Sequence, residues 1–349
     1  MRALVLEEFH RMQVVDLPDP RPGPGEVLLR IAATGICGSD LHGYTGENGR
    51  RSPGQVMGHE SAGTIAALGE GVDGARFPLG SPATFNPVVV PAAQQEEYAG
   101  REQHCPDKTV IGVAADVRAA FADLLAVPAR NVHLLDGSLP LALGALVEPL
   151  AVSVHAVRRG LRLGEAPRRV LVLGGGPIGQ SIVLALRMEG VEQIVLSEPD
   201  PGRRALCAGL GAQVLDPAEG AVAQQAEAAL GGPADLALDA VGITPTLADA
   251  LAATRPGGTV VLVGMGAQRL DVAAFEVSTQ ERTVTGSFTY SAQEFADAAA
   301  WIGDHADLAA TLVSRTVPLA RAPETFAALA HGDGTPGKVL VSFTEEEGR

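Results

Sequence analysis

Over the first 150 residues short apolar runs alternate with glycine and proline. "PDPRPGPGE" reads as a loop, and "EVLLRIAATGIC" and "SAGTIAALGEGV" read as strands with β-type apolar runs. The texture changes near residue 150. From there "RRVLVLG", "EQIVLSE", "ADLALDAVG", "GGTVVLVGMG" and "ERTVTGSF" are almost continuously apolar, with helical stretches such as "PIGQSIVLALRMEG" and "PGRRALCAGLG" between them. Strands of this kind separated by helices predict a parallel sheet covered on both faces. After residue 291 the chain returns to a helix–strand–helix pattern and then to "GKVLVSF". The expected fold class is α/β in two parts. A mainly β domain, 1–153 and 291–349, is interrupted by a doubly wound domain over 154–290. No repeat of 20 to 50 residues is visible.

The length of 349 residues also favours two domains over one core. A net charge of -15 argues against nucleic acid or an anionic membrane as the main partner. Three cysteines make no disulfide framework, so a reducing cytoplasm is the expected compartment. "MRALVLEEFHRM" is a poor secretory signal, because two glutamates cut its apolar run. The apolar stretch "RVLVLGGGPIGQSIVLALR" is broken by glycines and a proline, so no membrane span is expected there.

"RRVLVLGGGPIGQSIVLAL" places Gly174-x-Gly176-x-x-Gly179 between a predicted strand and a predicted helix. In that context Gly174 allows a tight turn, Gly176 lets a pyrophosphate approach the backbone, and Gly179 lets helix and strand pack closely. Pro177 suits a first helical turn, with Ile178 behind it, and the phosphates would sit on the positive helix end. Glu198 closes the next strand, 19 residues after Gly179, where a carboxylate accepts hydrogen bonds from an adenine-side ribose. Together these residues point to a dinucleotide site.

Cys37 in "GICGSDLHGYTG", with His59 and Glu60 in "VMGHESAG", lies in Gly-flanked loops after apolar runs. Glu148 stands between apolar residues in "LALGALVEPLAVSVHAV", where a carboxylate is costly unless paired or metal-bound. A thiolate, an imidazole and carboxylates form a zinc set. Taken singly, each has another reading: Cys37 as a small buried hydrophobe, His59 as a core histidine, Glu60 as a solvated turn residue.

"GICGSDLHGY", "GHE", "LVEPLAVSVHA", "GGGPIG" and "TGSFTY" together resemble the medium-chain, zinc-dependent alcohol and polyol dehydrogenases, in the sorbitol and butanediol dehydrogenase branch, nearly end to end. The resemblance implies a GroES-like catalytic domain with a Rossmann domain inserted. It implies one catalytic zinc on Cys37 and His59, with Glu60 a direct ligand or one that exchanges with water. Glu148 stands where alcohol dehydrogenases proper have a second cysteine, and would bind zinc directly or through its water. Asp40 would orient the His59 imidazole. Zinc would act as a Lewis acid on an alcohol oxygen, and NAD would take the hydride. Ser39 matches the position whose hydroxyl touches the substrate oxygen, and His42 the one that relays the proton to solvent.

Many relatives hold a second, structural zinc on four cysteines spaced C-x2-C-x2-C-x7-C. Counting back from Cys105 gives Glu97, Gln94 and Pro91, so three of the four ligands are missing. That lobe is expected to keep its shape by packing alone or to be mobile. Glu198 is expected to favour NAD over NADP, while Arg203 and Arg204 are the cations able to hold a phosphate. Tyr44 and Phe288 are candidates for lining the substrate pocket. By the same resemblance "ERTVTGSF" is an outer strand that pairs across a dimer, giving a homodimer or homotetramer acting on a small alcohol or polyol. Two other functions compete: a zinc-free quinone or enone reductase, and a non-catalytic cofactor-binding protein.

Overall fold

The computed structural model describes residues 1–47, 49–114, 118–163 and 169–344. Two compact units emerge: Met1–Glu148 with Ser291–Arg349, and Pro149–Tyr290. The first division falls inside the helix Val147–Leu161.

In the first unit, the strand Glu26–Gly35 is buried along most of its length, as a central strand must be when both faces are covered. It pairs antiparallel with Glu60–Leu68 on one side and with Lys338–Ser342 on the other; Leu124–Pro128 pairs along its beginning. The sheet continues outward through Pro82–Phe85 to Val132–Leu134, and through Lys338–Ser342 to Val313–Pro318. A smaller sheet joins Arg11–Asp16, Arg2–Glu8 and Gln55–Val56. Leu4, Leu6, Leu29, Ile65, Phe85, Phe121 and Phe326 form its core, each under 3 % exposed. Tyr44 packs edge-on with His10, and its hydroxyl donates to the His10 carbonyl at 2.7 Å. Tyr44 is therefore core packing.

The lobe around Cys105 contains two 3-10 turns, Ala92–Gln94 and Glu102–His104. It is not held by packing alone. The buried Cys105 thiol donates to Gln94 Oε1 at 2.9 Å, and Gln94 Nε2 donates to Asp107 Oδ2 at 2.6 Å. Lys108 Nζ caps the Cys105 carbonyl at 3.2 Å.

The second unit is a six-stranded, all-parallel sheet. Its order is Gln213–Leu215, Gln193–Ser197, Arg169–Leu173, Ala234–Asp239, Thr254–Leu262 and Thr283–Gly286. Numbered along the chain that is 3-2-1-4-5-6, the doubly wound order, with its switch point beside Arg169–Leu173. "RVLVL" is buried at four of its five positions, which explains its unbroken apolar run. Among the described residues one helical stretch, Leu141–Leu161, is long and apolar enough to cross a membrane, and 78% of its most apolar 18-residue window is buried inside the protein. It reads as a core element.

Candidate active site

The first unit gathers its chemistry where the central strand ends. Gly35 lies opposite Glu60 on one neighbour and opposite Leu340 on the other. Ile36 N donates to the Val339 carbonyl at 2.9 Å, so the register continues and sets Lys338 level with Cys37. The end of one strand and the starts of its two antiparallel neighbours thus deliver Cys37, His59–Glu60 and Lys338 to one edge. Cys37 Sγ, a His59 ring nitrogen and a Glu60 oxygen all lie within 4.8 Å of one another.

The short helix Gly38–Thr45 starts at Cys37, and Asp40 Oδ2 accepts from the Cys37 N–H at 3.1 Å. That bond turns Asp40 Oδ1 towards His59 Nδ1, at 3.6 Å, and towards the Arg51 guanidinium, also at 3.6 Å. Ser39 Oγ stands 3.5 Å from His59 Nε2. His42, one helical turn after Ser39 and on the same face, reaches outward to Glu47 at 3.2 Å. Glu60 is fully buried, and Lys338 Nζ sits 2.8 Å from its Oε1 and 2.7 Å from its Oε2.

Glu148 occupies the first turn of Val147–Leu161, where the helix end favours a carboxylate. It lies outside the 4.8 Å cluster, yet its charge acts on His59 and on Lys338.

These residues fit a dication. A thiol, an imidazole and a carboxylate converge within 4.8 Å, and Glu60 Oε2 is buried there without a hydrogen bond. Burial alone would pull the His59 pKa down, but Asp40, Cys37 and Glu148 together raise it from 6.5 to about 10. Burial likewise opposes the Lys338 charge, and Glu60 and Cys37 outweigh it. Burial raises the Asp40 pKa against the pull of His59 and Arg51. A pocket negative enough to force a proton onto a buried imidazole is suited to a metal cation in its place.

In the second unit, the turn after Arg169–Leu173 has the geometry a dinucleotide needs. Gly174 has φ 92°, and a side chain at Gly179 would collide with the Gly174 carbonyl. A Cβ at Gly176 would meet nothing closer than the Arg203 guanidinium at 4.0 Å, so the approach to the helix end is open. Pro177 and Ile178 start the helix Pro177–Met188.

Glu198 is built into this turn more tightly than a ribose partner requires. It is 4% exposed; Oε2 accepts from Gly175 N at 2.7 Å, and Oε1 from Asp200 N at 2.9 Å. Arg204 is committed elsewhere, to the carbonyls of Glu198 and Pro199 and to Asp216. The Arg203 guanidinium has no hydrogen bond or ion pair among the described residues. Burial, aided by Glu198, pushes the Cys207 thiol up to about 12, which makes it an inert core residue.

Sequence reasoning missed Lys338 and Arg51. Lysine at the head of an apolar strand, in "GKVLV", is the one signal that pointed to the first. Arg51 has none.

Family profiles match both units. That for the alcohol dehydrogenase GroES-like domain covers residues 23–137, and that for zinc-binding dehydrogenases covers 177–304. The L-galactonate-5-dehydrogenase of Escherichia coli (strain K12) is 33% identical over 310 residues, 88% of each chain. The sorbitol dehydrogenase of Gallus gallus is 30% identical over 341 residues, 95% of this chain and 94% of that one. The crystal structure of 2R,3R-butanediol dehydrogenase from Bacillus subtilis superposes with a TM-score of 0.86 at 27% identity, covering 98% of this chain and 99% of that one. Fold and site define an oxidoreductase, and the chain belongs to the medium-chain, zinc-dependent alcohol and polyol dehydrogenases. Zinc and a nicotinamide dinucleotide are its cofactors.

Proposed function

We propose that this enzyme oxidises a secondary alcohol carbon of a polyol or sugar acid with NAD. The convergence of Cys37, His59 and Glu60 within 4.8 Å carries this reading. Cys37 and His59 would hold the zinc, Glu60 would be a direct or exchangeable third partner, and Glu148 would supply a further carboxylate. The substrate class is taken from the relatives named for galactonate, sorbitol and butanediol. Zinc, when bound, supplies Lewis acidity, and NAD, when bound, an acceptor for hydride.

The chain's own residues manage the proton. Ser39 Oγ accepts the proton of the substrate hydroxyl as it gives up its own, and His42, on the same helix face and half in solvent, passes a proton outward. Asp40 Oδ1 faces His59 Nδ1 at 3.6 Å and would orient the ring, leaving its other nitrogen available to a metal. Gly174, Gly176, Pro177, Ile178 and Gly179 seat the pyrophosphate, and Glu198 with Arg203 holds the adenosine ribose. Glu198 supports NAD over NADP, because a second carboxylate, Asp200, stands two residues away and Arg204 is already paired. The cysteine–histidine–carboxylate set speaks against a zinc-free reductase.

The half-buried edge strand Thr283–Gly286, with Phe275 84% exposed nearby in the sequence, supports a homo-oligomer formed through this edge. Three free cysteines support a cytoplasmic setting. The test is zinc content by mass spectrometry, with NADH absorbance read across diols, polyols and sugar acids. One zinc per chain with turnover on such an alcohol is the expected result; no zinc, or turnover on enones alone, would overturn it.

A further inference from the structure

Glu60 and Lys338 are 278 residues apart in the chain, yet they form a buried ion pair, 0% and 3% exposed. What brings them together is a missing side chain. Glu60 lies opposite Gly35, and Lys338 comes from the strand on the far side of Gly35. A Cβ at Gly35 would collide with Glu60 Oε2, so the carboxylate crosses the central strand through the gap that glycine leaves. The φ of Gly35 is not in the left-handed region, so space, not backbone freedom, is the reason for glycine here.

The ammonium divides its attention unequally. It hydrogen-bonds Oε1 at 2.8 Å, whereas Oε2, 2.7 Å away, is ion-paired to it without a hydrogen bond. The charges of the site give this a purpose. Cys37 as thiolate, Asp40, Glu60 and Glu148 contribute four negative charges; Arg51 and Lys338 contribute two positive ones. A dication closes that sum at zero. Without Lys338 the loaded site carries one uncompensated buried carboxylate, and the nearest cation left to Glu60 is the metal itself.

We propose that Lys338, acting across Gly35, is the positioning residue that keeps Glu60 an exchangeable partner of the metal and prevents it from becoming a permanent one. The proposal rests on the zinc reading above and assigns Lys338 no contact with substrate. Lys338 shares Glu60 with the ion, so the ion is held less tightly than its donors allow.

The experiment is the rate at which the purified, zinc-loaded protein gives up zinc to a chromogenic chelator. Lys338→Met should release zinc roughly tenfold more slowly than the wild type. Lys338→Arg, which keeps the charge, should stay near the wild-type rate. Gly35→Ala, which displaces Glu60 without removing either charge, should move in the direction of Lys338→Met. Release from folded Lys338→Met at the wild-type rate or faster would overturn the proposal. Should that variant fail to fold, Glu60→Gln with and without Lys338→Met replaces it. Equal release rates from those two support the proposal, since Lys338 acts only through Glu60; unequal rates overturn it. A wild-type chain that takes up no zinc would instead sink the zinc reading itself.

Discussion

The edge around Cys37 and the lobe around Cys105 differ in how their polar atoms are paired. At the first, Asp40 Oδ1, His59 Nδ1 and Glu60 Oε2 are buried without hydrogen bonds. At the second, the buried Cys105 thiol donates to Gln94 Oε1. Gln94 is tied in turn to Asp107, and the Glu97 carbonyl takes the Arg101 guanidinium at 3.0 Å. Converging thiol, imidazole and carboxylate donors, with one carboxylate oxygen left unbonded, mark a place built around a cation. Around Cys105 the thiol already has its partner, and stranding such a buried polar group costs about 1–3 kcal/mol.

The sharpest way to break this comparison is to remove each thiol. Cys37→Ser should lose bound zinc and lower turnover by at least ~10³-fold, on the scale a Lewis acid contributes, with the fold intact. Cys105→Ala should keep one zinc per chain and near-normal turnover. Metal analysis of both variants decides it, and a second zinc in the wild type would refute the reading of the lobe.

Ser39→Ala should lower kcat by about 10²-fold and leave NAD binding unchanged, since its hydroxyl acts on the proton alone. His42→Ala should cost less, and least at high pH, where solvent takes the proton directly. An equal loss at every pH removes His42 from the relay.

Glu198 belongs with the lobe in this respect, because both its oxygens already serve the backbone. Glu198→Ala should therefore weaken NAD by roughly tenfold or more without creating a strong NADP site. The ratio of kcat/KM for the two coenzymes measures it. A wild type that favours NADP would shift the assignment to Arg203.

A buried histidine, His59, and a half-buried one, His133, extend the contrast. Acids around His59 raise its pKa to about 10, whereas burial, aided by Arg76, lowers that of His133 from 6.5 to about 4. A depressed histidine contributes its stability fully above 6.5 and loses it as pH falls through 4. His133→Leu should flatten that acid limb, an effect of up to about 3 kcal/mol. Chemical denaturation at pH 7 and pH 4.5 reads it; identical slopes in both proteins would exclude it.

Smallest is Gln94→Ala, which strands the Cys105 thiol and should cost about 1 kcal/mol with zinc unchanged.

How much of this was legible in the sequence follows from distance along the chain. The glycine turn, its strand and Glu198 lie within 30 residues, and local conformational rules connect them. Cys37, His59 and Glu60 were readable because loops after apolar runs carry such residue types. Lys338 was not, because its partnership depends on the register of three strands and on the absence of a side chain at Gly35. Nor was the Cys105–Gln94 bond, since a glutamine in place of a thiolate reads as a loss until its amide is seen to accept from the remaining thiol.

The pairing of Lys338–Ser342 with Glu26–Gly35 also sets a schedule. A ribosome makes the central strand, the metal donors and Glu60 before the nucleotide-binding unit, and the strand that brings Lys338 only after it. Until then Glu60 has no counter-ion, and its sheet has an open edge beside Gly35. The second unit lies wholly within Pro149–Tyr290 and has its own sheet, so it can fold while the first waits. Nascent chains arrested before residue 338 are therefore the ones a chaperone would find with a finished nucleotide fold and an unfinished metal edge.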